Sequence, residues 1–331
     1  MKLIKQMLNS LKAENFNFEP AMLVLFIYAM LLFSRGVIGQ MDIGTNDQYL
    51  ATVVLQIITF IVPAVLWYRL RGMKRFAHKD IGLRRGAYLR AMGFTPPKGR
   101  HAIIIVATVF ALIAGCLLFS INFSGGSSFE GGFTLYDTLS ARKDGTVLGS
   151  IGLILAYALL PALCEELVFR GILCAEYGKN GILSAFVLNT LWFSLLHFNA
   201  TKLLPYIFAG AVLTALRYVT RSVFSVAIAH FAYNMFCIFG QQYITEFYIT
   251  AGSMGVFIFI MVAILLFASA IFCGQAARLF RRYAKRNEPS EHTRREGKRE
   301  HLRALLDAAA TPAGVVCILV WIVAVIIFAL I

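Results

Sequence analysis

The sequence predicts an all-α fold, a polytopic membrane helix bundle of about eight to nine transmembrane helices. Three observations lead to this class. Apolar residues make up 59% of the chain and charged residues only 15%, and the mean hydropathy is +0.73, too hydrophobic for a soluble domain. Apolar runs long enough to cross a bilayer recur along the chain. The charges between these runs are divided unequally between alternate loops.

The apolar runs divide the chain into three regions. The first region, 1–146, is predicted to hold three membrane helices and a basic cytoplasmic loop. The second, 147–240, is predicted to be a four-helix core, and the third, 241–331, a C-terminal membrane region with another basic loop. The runs lie near 21–38, 50–68, 101–121, 147–170, 182–197, 203–219, 223–240, 255–275 and 314–331.

The net charge of +14 comes from loops that alternate across the predicted membrane. One set holds the basic residues of 1–20, 69–100 and 276–303, together with Lys179, Arg217 and Arg221; the opposite set holds Arg142, Lys143 and Lys202. This asymmetry predicts a cytoplasmic N-terminus and, with nine spans, an external C-terminus. The basic loops are expected to orient the protein and to contact membrane lipid, and nucleic acid is not a predicted partner.

The predicted localisation is a multi-pass protein of a bacterial plasma membrane. The first apolar run is long, lacks a small-residue cleavage site and is followed by further spans, so it is interpreted as an anchor and not as a cleaved signal peptide. The alternating acidic and basic residues of 278–303 predict a cytoplasmic helix or a loop with a solvated charged face. The six cysteines all fall in apolar runs without a C-x-x-C pair, which is typical of small core residues.

Polar side chains inside three apolar runs form the candidate site. A charged group at membrane depth costs at least a few kcal/mol, so such residues are functional-site hypotheses by default. One such residue is more often structural than catalytic, but this chain concentrates several within one part of the sequence. The residues are Glu165, Glu166, Arg170, His197, His230 and Asn234.

The first motif contains two adjacent acids and a base. Glu166 and Arg170 are four residues apart, so they share a helix face with the acid N-terminal to the base, the favourable order for an ion pair. Glu165 lies about 100° further round the helix. We therefore expect Glu166 to be neutralised by Arg170, which leaves Glu165 available as a general base.

The second and third motifs place two histidines on later helices. A turn near Lys179 would return the chain antiparallel, so that His197 and Glu165 both lie roughly 20–27 Å from the turn and can face each other. Phe193, one turn before His197, is predicted to wall the site. His230 and Asn234 are four residues apart on the helix that follows Ser222. Their depth overlaps that of Glu165 only approximately, so spacing alone does not establish that the three motifs converge.

At these residues the sequence resembles the CAAX protease and bacteriocin-processing family of intramembrane proteases, which includes the type II CAAX prenyl endopeptidase. The motifs that carry the resemblance read Glu165-Glu166-x-x-x-Arg170, Phe193-x-x-x-His197 and His230-x-x-x-Asn234, in that order on separate predicted helices. The resemblance covers about 147–240. The spans before and after this region match no family that we can name.

The resemblance implies an endopeptidase that hydrolyses peptide bonds of membrane-associated or lipidated protein or peptide substrates. It implies that Glu165 activates a water, that His197 holds or polarises this water, and that His230 and Asn234 stabilise the oxyanion. Glu166 and Arg170 would form a supporting pair. Two histidines and a glutamate could instead hold a catalytic zinc through Glu165, His197 and His230. A zinc-free site is favoured, because H-E-x-x-H is absent and Asn234 is a poor zinc ligand.

Other functions stay open at the level of sequence. The chain could be a catalytically inactive family member that acts as a membrane scaffold or immunity factor, although a scaffold has no need of all these polar residues together. A transporter or proton relay could use the same groups, but no second copy of the acid motif is present. A Cys164 nucleophile is disfavoured, because no histidine is near it in sequence.

Overall fold

The computed structural model describes residues 19–40, 45–77, 89, 92–123, 146–286 and 298–330. The predicted basic N-terminal segment lies almost wholly outside these residues. Arg142 and Lys143 also lie outside the described residues. The same is true of parts of the two long basic segments, 69–100 and 276–303. Every regular element within the described residues is a helix.

Eleven helices occur in the described parts of the chain, numbered here in chain order. They are α1 (Pro20–Gln40), α2 (Thr45–Ala77), α3 (Ala102–Phe123), α4 (Val147–Asn180), α5 (Ile182–Leu195), α6 (Leu203–Thr220), α7 (Val223–Phe239), α8 (Gln241–Thr250), α9 (Met254–Lys285), α10 (Lys298–Ala309) and α11 (Pro312–Leu330).

The helix lengths confirm the predicted class, an all-α polytopic membrane bundle. Among the described residues, 6 helices are long and apolar enough to cross a membrane, and α1, α5 and α7 are shorter apolar helices. Each of the apolar runs seen in the sequence coincides with one of these helices. Helices α8 and α10 have no apolar run of their own. Helix α9 extends beyond its run to Lys285, so part of the charged segment 278–303 is helical, as is its end in α10.

Local sequence signals set several helix boundaries around the core. Gly181, with φ of 100°, separates α4 from α5, a conformation that residues with a Cβ rarely adopt. The Ser222 hydroxyl accepts a hydrogen bond from the Ser225 amide at 3.3 Å and caps the start of α7. Helix α6 ends at Thr220. The next residue, Arg221, takes a left-handed conformation with φ of 55°, which ends the helix.

Helix α5 is the central element of the bundle. Its buried residues include polar ones on several sides, Ser184, Asn189 and Ser194, which is expected of a helix surrounded by other helices. The largest cluster of buried apolar side chains joins α5 to α1, α3, α9 and α11. The Tyr28 hydroxyl of α1 donates a hydrogen bond to the Trp192 carbonyl at 2.8 Å. The predicted division into three regions stays a prediction.

One loop assignment from the sequence is wrong. Arg217 was counted among the cytoplasmic loop charges, but it lies in the last turn of α6 and is only 2% exposed. Its Nε donates a hydrogen bond to the Arg170 carbonyl at 3.1 Å. The sequence at the end of an apolar run does not show whether a basic side chain lies in a loop or is buried between helices.

Candidate active site

The acidic motif lies where α4 changes its helical geometry. The chain is α-helical over Leu160–Glu166 and π-helical over Leu167–Leu173, so the widened turns begin directly after Glu166. A second π-helical stretch, Leu155–Leu159, precedes the motif. Such widened turns are rare and occur frequently at functional sites. Pattern analysis gave no signal for either stretch.

Glu166 and Arg170 form the ion pair that their spacing predicts. Arg170 Nη1 lies 3.0 Å from Glu166 Oε1, and both side chains are completely buried. Arg170 Nη2 also donates to the Gly210 carbonyl of α6 at 3.1 Å, and its guanidinium lies 4.1 Å from the centre of the Phe193 ring. The buried cation is therefore stabilised by a carboxylate, a carbonyl and an aromatic face.

His230 of α7 contacts the same carboxylate oxygen. Its Nδ1 lies 2.8 Å from Glu166 Oε1. The sequence left open whether the third motif reaches the first, and the structure brings His230 and Glu166 into direct contact. It also shows that Glu166 has two partners, where the sequence predicted only Arg170.

Glu165 has a different environment from its neighbour. Its Oε2 is buried and has no hydrogen-bond partner among the described residues, and the same holds for Glu166 Oε2. Glu166 Oε1, by contrast, has two partners. Glu165 interacts electrostatically with His230, Glu166 and Arg170. The two carboxylates thus divide as the sequence predicts, one paired and one without a counter-ion contact.

His197 lies just beyond the end of α5. The sequence predicted a helix to 197, but α5 ends at Leu195, and Phe198 takes a positive φ of 48°. His197 Nδ1 lies 3.1 Å from the Phe193 carbonyl, and its ring stacks on Tyr206 of α6 with centroids 3.8 Å apart. Arg35 Nη2 of α1 donates to the His197 carbonyl at 3.2 Å. Between the described side chains of Glu165 and His197 there is no direct hydrogen bond.

Phe193 lies between the two histidines. The centroid of its ring is 5.4 Å from that of His197 and 6.0 Å from that of His230, both in edge-on contacts. That Phe193 walls an active site stays a prediction. Asn234 is buried on the same helix as His230, and its Nδ2 donates a long hydrogen bond of 3.4 Å to the Ala158 carbonyl in the first π-helical stretch.

Comparison with known families matches this part of the chain to one model. Residues 147–236 match the family model of the type II CAAX prenyl endopeptidase, Rce1-like. The chain carries an Rce1-like domain. The match is consistent with the CAAX protease and bacteriocin-processing family expected from the motifs. It supports CAAX-type intramembrane protease activity in general. No curated protein and no solved structure matches the chain.

The matched segment contains all the candidate residues. It begins at the first residue of α4 and ends inside α7, so it includes Glu165, His197 and His230 with their neighbours. Helices α1, α2, α3 and α9 lie outside it, although they pack against the Rce1-like domain.

The zinc alternative has no ligand set in the described residues. No group of three His, Cys, Asp or Glu side chains there is arranged to hold a metal ion. That the site works without zinc stays a prediction. None of the six cysteines, all of which lie in the described residues, forms a disulfide, and Cys164 is buried beside Glu165.

Sequence reasoning missed several residues that contact the site of the Rce1-like domain. Tyr206, which stacks on His197, has no motif spacing that would identify it. Arg35 is conspicuous as a cation within an apolar run, but its partner 162 positions away could not be found by periodicity. Asn189 and Arg217 were detectable only as polar residues within or next to apolar helices, without any indication of what they bind.

Proposed function

We propose that this protein is an intramembrane endopeptidase that hydrolyses a peptide bond of a membrane-associated or lipidated protein or peptide. The observation that carries the proposal is the different pairing of the two adjacent glutamates. Glu166 is held through Oε1 by Arg170 and His230, whereas Glu165 forms no ion pair with any side chain that the structure describes. The Oε2 atoms of both glutamates are buried without a hydrogen-bond partner among those residues. A carboxylate that is free of a counter-ion can accept a proton from water more readily than one held in an ion pair.

The hydrogen bonds of His197 support its role beside the attacking water. A carbonyl oxygen can only accept, so Nδ1 must carry the hydrogen in its contact with the Phe193 carbonyl. In the neutral ring Nε2 then has a lone pair and can accept a hydrogen bond from water. The stack on Tyr206 fixes the plane of the ring.

The proposed reaction is the hydrolysis of one peptide bond by one water molecule. Glu165 accepts a proton from a water molecule, and the water oxygen attacks the scissile carbonyl carbon to form a tetrahedral intermediate. The negative oxygen of this intermediate accepts hydrogen bonds from His230 and Asn234. The carbon–nitrogen bond breaks, and the protonated Glu165 returns its proton to the leaving amine.

Glu166 has a defined part in this scheme. His230 Nδ1 is directed at Glu166, so only Nε2 can face a substrate oxygen. The contact with Glu166 orients the His230 ring, which makes Glu166 a positioning residue for His230.

Comparison of peptide termini tests the proposal. Membranes and medium of cells that carry the wild-type protein or Glu165→Gln would be compared by mass spectrometry, at matched expression. New termini that appear only with wild type would establish an endopeptidase and identify its substrate class. Identical profiles in a host that expresses the natural partners would overturn the proposal and favour the inactive scaffold.

The remaining proposals concern topology and cofactor. We propose a cytoplasmic N-terminus on the basis of the loop charges. We propose a bacterial plasma membrane because the compact core needs nothing specific to a eukaryote. The substrate could be lipidated, as the similarity to a prenyl endopeptidase suggests. We propose that the reaction is independent of metal. Activity that survives dialysis against a chelator at full rate would support this, and loss that is restored by zinc would refute it.

A further inference from the structure

The π-helical stretch after Glu166 has backbone carbonyls that a regular α-helix would satisfy differently. In this stretch the Cys174 amide bonds to the Gly171 carbonyl, three residues earlier, and to the Phe169 carbonyl, five residues earlier, where a regular α-helix has a bond four residues back. A carbonyl oxygen has two lone pairs, so a carbonyl that accepts within the helix can take a second partner from a neighbouring side chain.

Two neighbouring helices supply those partners. Asn189 of α5 donates from Nδ2 to the Phe169 carbonyl at 2.6 Å, and the same amide contacts the Cys174 sulfur. Arg217 of α6 donates from Nε to the Arg170 carbonyl at 3.1 Å. Asn189 is completely buried and Arg217 is 2% exposed, so both bonds lie inside the protein. Consecutive carbonyls of the widened turn are therefore bound from two different helices.

Arg170 takes part in two hydrogen bonds between α4 and α6, once as acceptor and once as donor. The backbone carbonyl of Arg170 accepts from Arg217, while the side chain of Arg170 donates to the carbonyl of Gly210. The same guanidinium holds Glu166, which in turn holds His230. A displacement of the widened turn would therefore move the acid that contacts His230.

Arg217 is also enclosed by a tight turn from the segment before α3. A Cβ added at Gly93 would lie 2.5 Å from Arg217 Cζ, so only glycine permits this approach. The Gly93 carbonyl accepts from the Val223 amide at 2.9 Å, which joins the turn to the start of α7. The Arg217 side chain thus lies close to this turn as well as to α4.

We propose that Asn189 and Arg217 are positioning residues that hold the π-helical turn Leu167–Leu173, and with it the contact between Glu166 and His230. The inference rests on the proposed function, because it assigns these residues to that reaction. A general stabilising role would also make the side chains important for folding. The two roles differ in one respect: only a positioning role requires the environment of His230 to change in a variant that is still folded.

The test observes that environment directly. The purified protein, labelled with 15N-histidine, would be reconstituted in lipid vesicles, and its ring nitrogens recorded by solid-state NMR, with the His230 signals assigned through His230→Gln. The test variants are Asn189→Ala, which removes the donor, and Arg217→Lys, which keeps the charge and removes Nε. We expect both to shift the His230 ring signals.

Each variant has a matched control. Ser194→Ala removes a buried donor on the same helix, whose acceptor is the Thr190 carbonyl of α5 itself. Arg281→Lys removes an Nε that donates to a backbone carbonyl at 3.3 Å on the exposed part of α9. Both controls should leave the His230 signals unchanged. If Asn189→Ala does not fold, Asn189→Leu preserves the volume without the donor. Unshifted His230 signals in the folded test variants would overturn the proposal.

Turnover supplies a second measurement once a substrate has been identified. A shift of the reacting groups by about 1 Å can reduce kcat by about 100-fold, so we expect a loss of that order in kcat with KM little changed. A rise in KM at unchanged kcat would overturn the positioning role. The NMR signal reports geometry and not turnover. If the His230 signals shifted in a protein that cleaves no substrate, the proposed function would be refuted. The coupling of Asn189 and Arg217 to His230 would still be supported.

Discussion

Replacing each of the two adjacent glutamates by glutamine should have different consequences for stability. Glu166→Gln removes the negative charge of the carboxylate that contacts both Arg170, at 3.0 Å, and His230, at 2.8 Å. Arg170 is completely buried and would be left as an uncompensated cation. Breaking a buried pair in this way costs about 3–5 kcal/mol. We therefore expect a large loss of stability together with loss of activity.

Glu165→Gln should leave stability nearly unchanged. Glu165 Oε2 has no partner among the described residues, so no ion pair is broken, and a neutral amide replaces a buried charge. We expect a change in the free energy of unfolding within about 1 kcal/mol. Activity should nevertheless be lost, because the proton acceptor is gone.

The assay is unfolding of the purified protein in mixed micelles by added SDS, followed by tryptophan fluorescence. The exposed Glu246 of α8 gives a matched control, Glu246→Gln, which should behave like wild type. A double-mutant cycle with Arg170→Gln should show coupling, since removing both partners costs less than removing one. If Glu166→Gln is as stable as Glu246→Gln, or if Glu165→Gln is the less stable of the two glutamate variants, the reasoning is refuted.

Substitutions at two further positions, Gly210 and Tyr206, test the packing around the histidines. Gly210→Ala would bring a Cβ to 3.2 Å from Phe193 Cδ1 and from the Thr190 carbonyl, so it should displace the ring and lower kcat. Gly171→Ala, with its nearest contact at 3.6 Å, is the control and should retain activity; equal activity of the two variants would contradict the prediction. Tyr206→Phe keeps the ring stacked on His197 and should retain most activity, whereas Tyr206→Ala should lose it. If the Phe variant is as inactive as the Ala variant, the hydroxyl and not the stack is what matters.

The membrane helices were predictable because their signal is local. Each span needs a run of apolar residues, and no packing partner can remove that requirement. The Glu166–Arg170 pair was predictable for the same reason, since residues four apart on one helix are neighbours whatever surrounds them. The motifs also indicated which helices carry the candidate site.

The contacts between helices were not predictable to the same degree. The sequence could not show that His230 reaches Glu166, because depth along a helix depends on tilt and on local changes of helical geometry. It gave no sign of the π-helical stretches, and it placed His197 inside a helix that ends two residues earlier.

The sequence by itself determined that this is a multi-helix membrane protein with a polar motif on each of three helices. Hydrophobic run length and helical spacing are properties of the chain alone, so they are readable before it folds. Only the tertiary structure decided that His230 also contacts Glu166, which carbonyls Asn189 and Arg217 bind, and that Tyr206 stacks on His197. These are contacts between residues distant in sequence, and they exist only when the helices pack against one another.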